Sequence, residues 1–441
     1  MKKSFKHVVF MLALVLVFTP LIQGCSNSDG SGNTSDGDTI TLKMSAWGNP
    51  EELKVYQRGV DAFMEKNPNI KVEIIPIPSD SYEQKLMTEL SGGKGPDVFY
   101  VGDATMAKLA KNQSVISLTD FMKTSDSYTK DDLYSDGLWG AAKQNSKIYG
   151  IPVDCNPLVL YYNKKLFKEL GIKSPQEYFE ENDWNWETFK KVTGKFKDAG
   201  KYGFVQDSAY GTMASWVWSN GGLVYDKEGN YVLDTNKKAQ EAIQYINGLV
   251  QDGRAIYAGS LPKGQGLEAM FMSRQVGMVA AGRWLTPLFS KNGSLEFDYI
   301  YWPTNTDEKY NPVQIPTAYL SVNANTEHQK AAKKFVTFYT SKMGQKTRLS
   351  QAGNAIPSVK GINDVVLENA KVEHADYLLK GRQNGVANGS PRLFAGNVPG
   401  LQQDMSDIYD LMLLGKQDAD TTIHKITEAT QKKMKEYQSG Q

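Results

Sequence analysis

Between Thr39 and Val101 the chain alternates strand-like and helix-like stretches, and this alternation limits the available folds more than any other feature. Thr39-Ile-Thr-Leu-Lys-Met-Ser45 alternates apolar and polar residues at strand period and stops at Trp47-Gly48. Asn49 and Pro50 then supply a helix cap and a first helical residue, with Leu53, Tyr56, Val60, Phe63 and Met64 following at helical spacing. Asn67-Pro68-Asn69 breaks that helix, and Ile70 to Ile77 reads as a second strand. A further helix is expected from about Ser81 to Ser91, ended by Gly92-Gly93, before a short apolar strand, Asp97-Val-Phe-Tyr-Val101. Strands separated by helices imply crossovers and a mostly parallel sheet, in which ligands sit beyond the carboxyl ends of the strands. Trp47 and Asp103, each just past a strand, are therefore placed to line a cleft.

The same alternation resumes further on. Tyr149-Gly-Ile-Pro-Val-Asp154 leads into Leu158-Val-Leu-Tyr-Tyr162, and a first crossing between two lobes is expected there. A second sheet can be assembled from that strand, Gly203-Phe-Val205, Gly277 to Ala281 and Tyr299-Ile-Tyr301. Amphipathic helices are expected over Lys237 to Asp252, Gln329 to Ser341 and Thr421 to Tyr437. About 400 residues are more than one compact core usually supports, so at least two lobes are required. No repeat of fixed period is visible, which sets aside solenoids and propellers.

The first 38 residues belong to a different class. Lys2, Lys3 and Lys6 precede an apolar run from Val8 to Phe18, a pattern read as a signal peptide over residues 1–24. That run falls short of the roughly twenty apolar residues that span a bilayer, and no later stretch approaches this length. Leu21-Ile-Gln-Gly-Cys25 resembles the lipobox of bacterial lipoproteins, which implies lipid on Cys25 and a membrane contact through that anchor alone. Ser26 to Asp38 contains only Ser, Asn, Asp, Gly and Thr, so residues 25–38 read as a lipidated Cys and a flexible tether.

With Cys25 lipidated, Cys155 has no disulfide partner and is expected to be a buried, inert thiol. His328, His374 and His424 show no metal-ligand spacing, so neither a metal nor another cofactor is expected. A formal net charge of +1 with interspersed signs argues against a nucleic-acid partner.

Laid out in order, these segments resemble extracellular solute-binding lipoproteins of ABC sugar importers, the group that includes maltodextrin-binding proteins. The marks are the strand ending in Trp47, Gly95-Pro-Asp-Val98, Tyr149-Gly-Ile-Pro152, Tyr161-Tyr-Asn163 with Lys165-Leu-Phe167, Trp186-Glu-Thr-Phe189, Gly277-Met278 with Gly282-Arg-Trp284, and Ala355-Ile-Pro357. The resemblance implies a two-lobed α/β periplasmic-binding-protein fold of type II, with a mostly parallel sheet in each lobe and a hinge of several strand crossings. Lobe one is expected at 39–153 plus 313–356, and lobe two at 154–312 plus 357–441. It further implies a monomeric, non-enzymatic receptor, extracytoplasmic and anchored to the cell membrane, that hands a carbohydrate to the transmembrane subunits of an ABC permease.

Sugar recognition needs aromatic plates for the apolar faces of a pyranose and fixed polar groups for its hydroxyls. Trp284, after the small-residue run Ala280-Ala-Gly-Arg283, is the first aromatic candidate, and the family commonly stacks a Trp there. Trp47 is its counterpart on the other lobe. Trp216 and Trp218 stand two residues apart, on different helix faces, so both are candidates while one of them can be core, and the sequence does not say which. Asp103 is the leading polar candidate, while Asp154 and Asn156 flank Cys155 at the expected hinge. Tyr82, Asp207, Tyr210 and Arg283 complete the set.

Three motif readings fail. Gly264-Gln-Gly266-Leu-Glu-Ala269 matches a dinucleotide fingerprint only formally, since no buried strand precedes it, and it reads as a loop opening a helix. Gly92-Gly-Lys-Gly95 lacks the ending of a phosphate loop, and Gly-x-Ser-x-Gly is absent. Two alternatives stay open: a receptor of this fold for a polyamine or a phosphorylated polyol, and a secreted glycosidase built on paired carboxylates.

Overall fold

The computed structural model describes residues 39–439 except 263–264, 369–371 and 389–393, so the signal segment, Cys25 and the tether lie outside the described residues. The opening alternation is realised as β1 (Ile40–Ala46), α1 (Pro50–Lys66), β2 (Ile70–Pro76), α2 (Tyr82–Ser91), β3 (Val98–Gly102) and α3 (Asp103–Lys111). α1 begins where its cap residue dictates. The Asn49 carboxamide oxygen accepts the N–H groups of Glu51 and Glu52 at 3.0 and 3.1 Å, and the Glu52 carboxylate accepts the Asn49 N–H at 3.0 Å. Such a reciprocal cap stabilises a helix start by about 1 kcal/mol. α1 then buries Tyr56, Val60 and Phe63, and it approaches the helix Gln329–Thr340 so closely that a Cβ on Gly59 would lie 2.7 Å from the Tyr339 ring.

The remaining strands are a two-residue hairpin, β4 (Lys143–Gln144) with β5 (Lys147–Ile148), then β6 (Ile151–Cys155), β7 (Val159–Asn163), β8 (Tyr202–Gln206), β9 (Ala255–Tyr257), β10 (Val276–Ala281), β11 (Phe297–Ile300) and β12 (Thr317–Val322). They form two five-stranded sheets, in the orders β2-β1-β3-β12-β6 and β11-β7-β10-β8-β9. The expectation of mostly parallel sheets needs correction. β1 pairs with β2 and β3 in parallel, but β12 runs antiparallel to both β3 and β6. In the second sheet β8 pairs in parallel with β9 and β10, and β7 runs antiparallel to β10 and β11. Within the two five-stranded sheets each antiparallel pairing involves a strand next to a passage between the sheets, where the chain enters without a local helical crossover.

Two such passages lie side by side. The chain leaves the first sheet after Cys155 and joins the second at Val159; it returns between Ile300 and Thr317. Backbone N–H groups of Asn156 and Leu158 donate to Pro316 and Gln314 carbonyls, both at 3.0 Å. A third segment joins them where the Cys155 N–H meets the Ile356 carbonyl at 3.4 Å. Cys155 itself is buried, and burial pushes its thiol up to about 11, so it is un-ionised and inert at neutral pH.

Each sheet has its own core. Leu42, Val60, Phe63, Leu86, Phe99 and Phe335 pack on the first; Phe189, Phe204, Trp216, Ile243 and Trp302 pack on the second. The C-terminal helices Leu401–Leu413 and Ala419–Ser439 add Met405, Tyr409 and Ile426 to that second core. No helix among the described residues is long and apolar enough to cross a membrane.

Candidate ligand-binding site

A cavity of about 600 Å³ opens between the two sheets, beside the passages that join them. Its first wall comes from the ends of β1 and β3. Trp47 follows β1 directly and stands edge-on to Tyr82 and Tyr100, with ring centroids 4.9 and 5.5 Å away. Tyr82 is in turn immobilised, its hydroxyl 2.8 Å from the Tyr100 carbonyl and 3.0 Å from Ser45 Oγ. Trp47 is thus half-buried on the cavity wall and held at a set angle by its aromatic neighbours.

Asp103 opens α3. Its Oδ1 accepts the Ala104 N–H at 2.9 Å, whereas its Oδ2 is shielded from solvent with no hydrogen-bond partner. Burial pushes its carboxyl up to about 6. A buried acceptor without a partner costs on the order of 1–3 kcal/mol, and a ligand hydroxyl at this point removes that cost.

Glu52 lies on the same wall, in the first turn of α1, and is 6 % exposed. Besides capping Asn49 it accepts the Asn354 side-chain N–H at 3.4 Å. Burial is the largest influence on it and pushes its carboxyl up to about 7, against the Asn49 and Asn354 hydrogen bonds; Asp154 and Glu268 add to the rise.

The floor belongs to the passages. Asp154 Oδ1 pairs with the fully buried Arg348 at 2.6 Å, and Arg348 also donates to the Val153 carbonyl at 2.8 Å. The Asn156 side-chain oxygen accepts the N–H groups of Arg283 and Ile356, each at 3.3 Å, tying three chain segments at one point. The second wall carries Trp284, in the turn after β10, and Glu268, in the first turn of the helix Leu267–Met272. Gly282 makes the Trp284 position accessible: a Cβ there would lie 2.2 Å from the indole and 2.4 Å from the Asn156 Cβ.

Of the residues proposed from sequence, Trp47, Asp103, Asp154, Asn156 and Trp284 meet in this one cavity. The other six lie outside its lining. Tyr82 is 2 % exposed and acts from behind Trp47. Trp216 is fully buried, with its indole N–H on the Gln206 side-chain oxygen at 2.9 Å, and Trp218 is half-buried against the same core. Tyr210 is buried in that core, and Asp207 accepts the Ala209 N–H at 3.0 Å just ahead of the helix Tyr210–Ser219. Arg283 is 4 % exposed and braces the Ala355 and Val365 carbonyls at 3.0 and 3.4 Å. His374 meets Asp298 at 2.6 Å with its sequence neighbour Glu373 alongside, but Glu373 also pairs with Lys164.

Glu52, Glu268 and Asn354 were missed. Glu52 had a legible signal, the Asn-x-x-Glu spacing that makes a reciprocal cap; Glu268 sits in the helix that opens after Gly266; Asn354 had none.

Two helix-flanked α/β sheets joined by adjacent passages, with a plate-lined cavity between them, define the class of two-lobed periplasmic binding proteins. Residues 47–346 match the family of bacterial extracellular solute-binding proteins, and the chain belongs to that family. The galactooligosaccharide-binding protein of Bacillus subtilis is 25 % identical over 395 residues, covering 85 % of this chain and 86 % of that one. The multiple sugar-binding protein of Streptococcus mutans is 24 % identical over 370 residues, covering 80 % and 83 %. Among solved structures, an ABC substrate-binding protein from Listeria monocytogenes in complex with cycloalternan superposes with a TM-score of 0.77 at 20 % identity, over 90 % of this chain and 99 % of that one. The GacH receptor of Streptomyces glaucescens, described unliganded and with acarbose, gives 0.75 at 19 % identity over 90 % and 99 %.

Proposed function

We propose that this chain is a lipid-anchored extracytoplasmic receptor that captures a neutral oligosaccharide and delivers it to an ABC importer. In this reading lipid on Cys25 holds the protein to the membrane, and the tether 26–38 gives it reach. Lobe one takes residues 39–153 plus 313–356, and lobe two residues 154–312 plus 357–441. The protein works as a monomer and releases its sugar chemically unchanged.

The observation that carries the reading is the shared cavity of Trp47, Trp284 and Asp103, with the Asp103 Oδ2 lacking any partner. Two indoles offer faces to pyranose C–H groups, and carboxylates accept hydroxyl protons between them. Relatives named for galactooligosaccharide and multiple-sugar binding support the same ligand class. Ligand engages both walls best when the sheets approach, so binding shifts the population toward the closed form.

A second reading rests on one specific feature. Among the described residues, Glu52, Asp103, Asp154 and Glu268 line the cavity and no Lys or Arg does, an arrangement that also suits an amine-bearing solute such as a polyamine. A thermal-shift screen over neutral oligosaccharides, polyamines and phosphorylated polyols separates the two. At about 100 times the dissociation constant a true ligand adds roughly 2.7 kcal/mol of stability. Stabilisation by polyamines with none from any sugar would replace the main reading. Appearance of cleavage products in the oligosaccharide incubation would instead make the protein a glycosidase.

A further inference from the structure

A second cavity, of about 530 Å³, lies along a different face of α1. Glu51, Lys54, Val55 and Arg58 recur at i, i+3, i+4 and i+7 and form one wall. The facing wall is the turn Arg283–Leu285 with the helix Thr286–Lys291, which follows β10 of the other sheet. Val366, Val372 and Ala375 supply an apolar floor.

The charges around this space do not balance. Among the described residues its one lining carboxylate is Glu51, already committed to Lys54 at 2.9 Å and Lys291 at 2.5 Å. Two guanidiniums also border it. Arg283 donates to backbone carbonyls alone, at Ala355 and Val365. Arg58 reaches the Ala352 carbonyl at 3.5 Å, and its Nε is buried with no partner. Among the described residues neither guanidinium has a carboxylate within ion-pair distance. Burial lowers the pKa of Arg58, and the charge of Arg348 lowers it further; burial lowers that of Arg283 against the raising influence of Tyr299 and Tyr161, with Arg58 as a smaller lowering one. Desolvated like charges repel, and an oxyanion between them relieves both the repulsion and the orphaned donor.

We propose that this cavity binds a small oxyanion, with Arg58 and Arg283 on its charged side and the valine floor against any apolar body the anion carries. A guanidinium fork matches the geometry of phosphate and carboxylate oxygens, which is why two such groups select an oxyanion over chloride. Bound there, the anion bridges α1 of the first sheet to the turn that follows β10 of the second.

The test is a thermal-unfolding titration of the mature protein with inorganic phosphate and with phenyl phosphate, at ionic strength held constant with chloride. The expected result is a midpoint that rises with the logarithm of phosphate concentration above the dissociation constant. Tighter binding of phenyl phosphate engages the apolar floor, and equal binding leaves the oxyanion head as the whole ligand. Arg58→Gln should weaken the response by about tenfold or more while the response to sugar persists. Arg58→Lys, which keeps the charge and loses the fork, serves as the second variant and should weaken it less. A rise no larger than chloride produces, or variants that respond like the parent, overturns the proposal.

Discussion

The two walls of the ligand cavity are made differently. On the first sheet, Trp47, Glu52 and Asp103 all stand within a few residues of a strand end or a helix start, and each is held by local bonds: the Tyr82 and Tyr100 edges, the Asn49 cap, the Ala104 N–H. On the second sheet, Trp284 and Glu268 come from separate segments, and many aromatic residues of that half, among them Phe189, Phe204, Trp216 and Trp302, are buried in its core. Trp216 alone stands in ring contact with Trp186, Phe189, Phe204, Tyr245 and Trp302. One wall is therefore pre-set by junction chemistry, while the other rests on a large aromatic core that decides what is left over for the ligand.

The strongest way to break this contrast is Trp216→Ala. If Trp216 is core, it costs about 3–5 kcal/mol of stability in a urea titration, because a buried indole and its bond to Gln206 are lost. A stable variant with impaired sugar binding would return Trp216 to the ligand wall.

Next in size is the pH response of Glu52. Its carboxyl rises from 4.5 to about 7 in the folded state, so between those values the native protein holds a proton that the unfolded chain has released. Its contribution to stability is complete below about pH 4.5 and is lost as pH climbs through 7, by at most about 3 kcal/mol. Asp103, raised from 3.8 to about 6, acts in the same direction at lower pH. Glu52→Gln keeps an acceptor for the Asn49 N–H and removes the titration, so the decline in unfolding free energy between pH 4.5 and 7 should flatten. An unchanged slope would mean that the first wall is not tuned by this group.

Trp284→Ala sharpens the view of the second wall. Loss of one of two plates should weaken sugar binding by on the order of 2 kcal/mol, about thirtyfold by calorimetry, with little change in melting temperature. The smallest effect is expected from Asp103→Asn, which keeps Oδ1 for the Ala104 N–H and turns the unpartnered acceptor into a donor. Sugar affinity should fall by about 1–2 kcal/mol, and a full-affinity variant would remove Asp103 from ligand contact.

Legibility followed the same division. Strand period, the Asn49-Pro50 start and the glycine and proline breaks located β1, α1, β2, α2, β3, β7, β8 and the helix Lys237–Gln251 to within a residue or two, whereas α3 and the β4–β5 hairpin carried no expectation. Trp47 and Asp103 could be placed because their positions relative to strand ends are local facts. Tyr82 was near the site for a reason sequence does not show: its hydroxyl serves two partners behind Trp47. Sheet direction was read too simply, since β12 and β6 reach the first sheet from far along the chain and run against β3 and β12 respectively.

By itself the amino-acid sequence determined the alternation of strands and helices, the need for two cores, and the small-residue run that admits Trp284, because these depend on neighbours within a few positions. Only the tertiary structure decided which tryptophans line the cavity and which are core, that Glu52 and Asn354 share a hydrogen bond across 302 residues, and that Arg58 and Arg283 line a common cavity. Those outcomes depend on desolvation and on partners brought together through space, and periodicity carries no information about either.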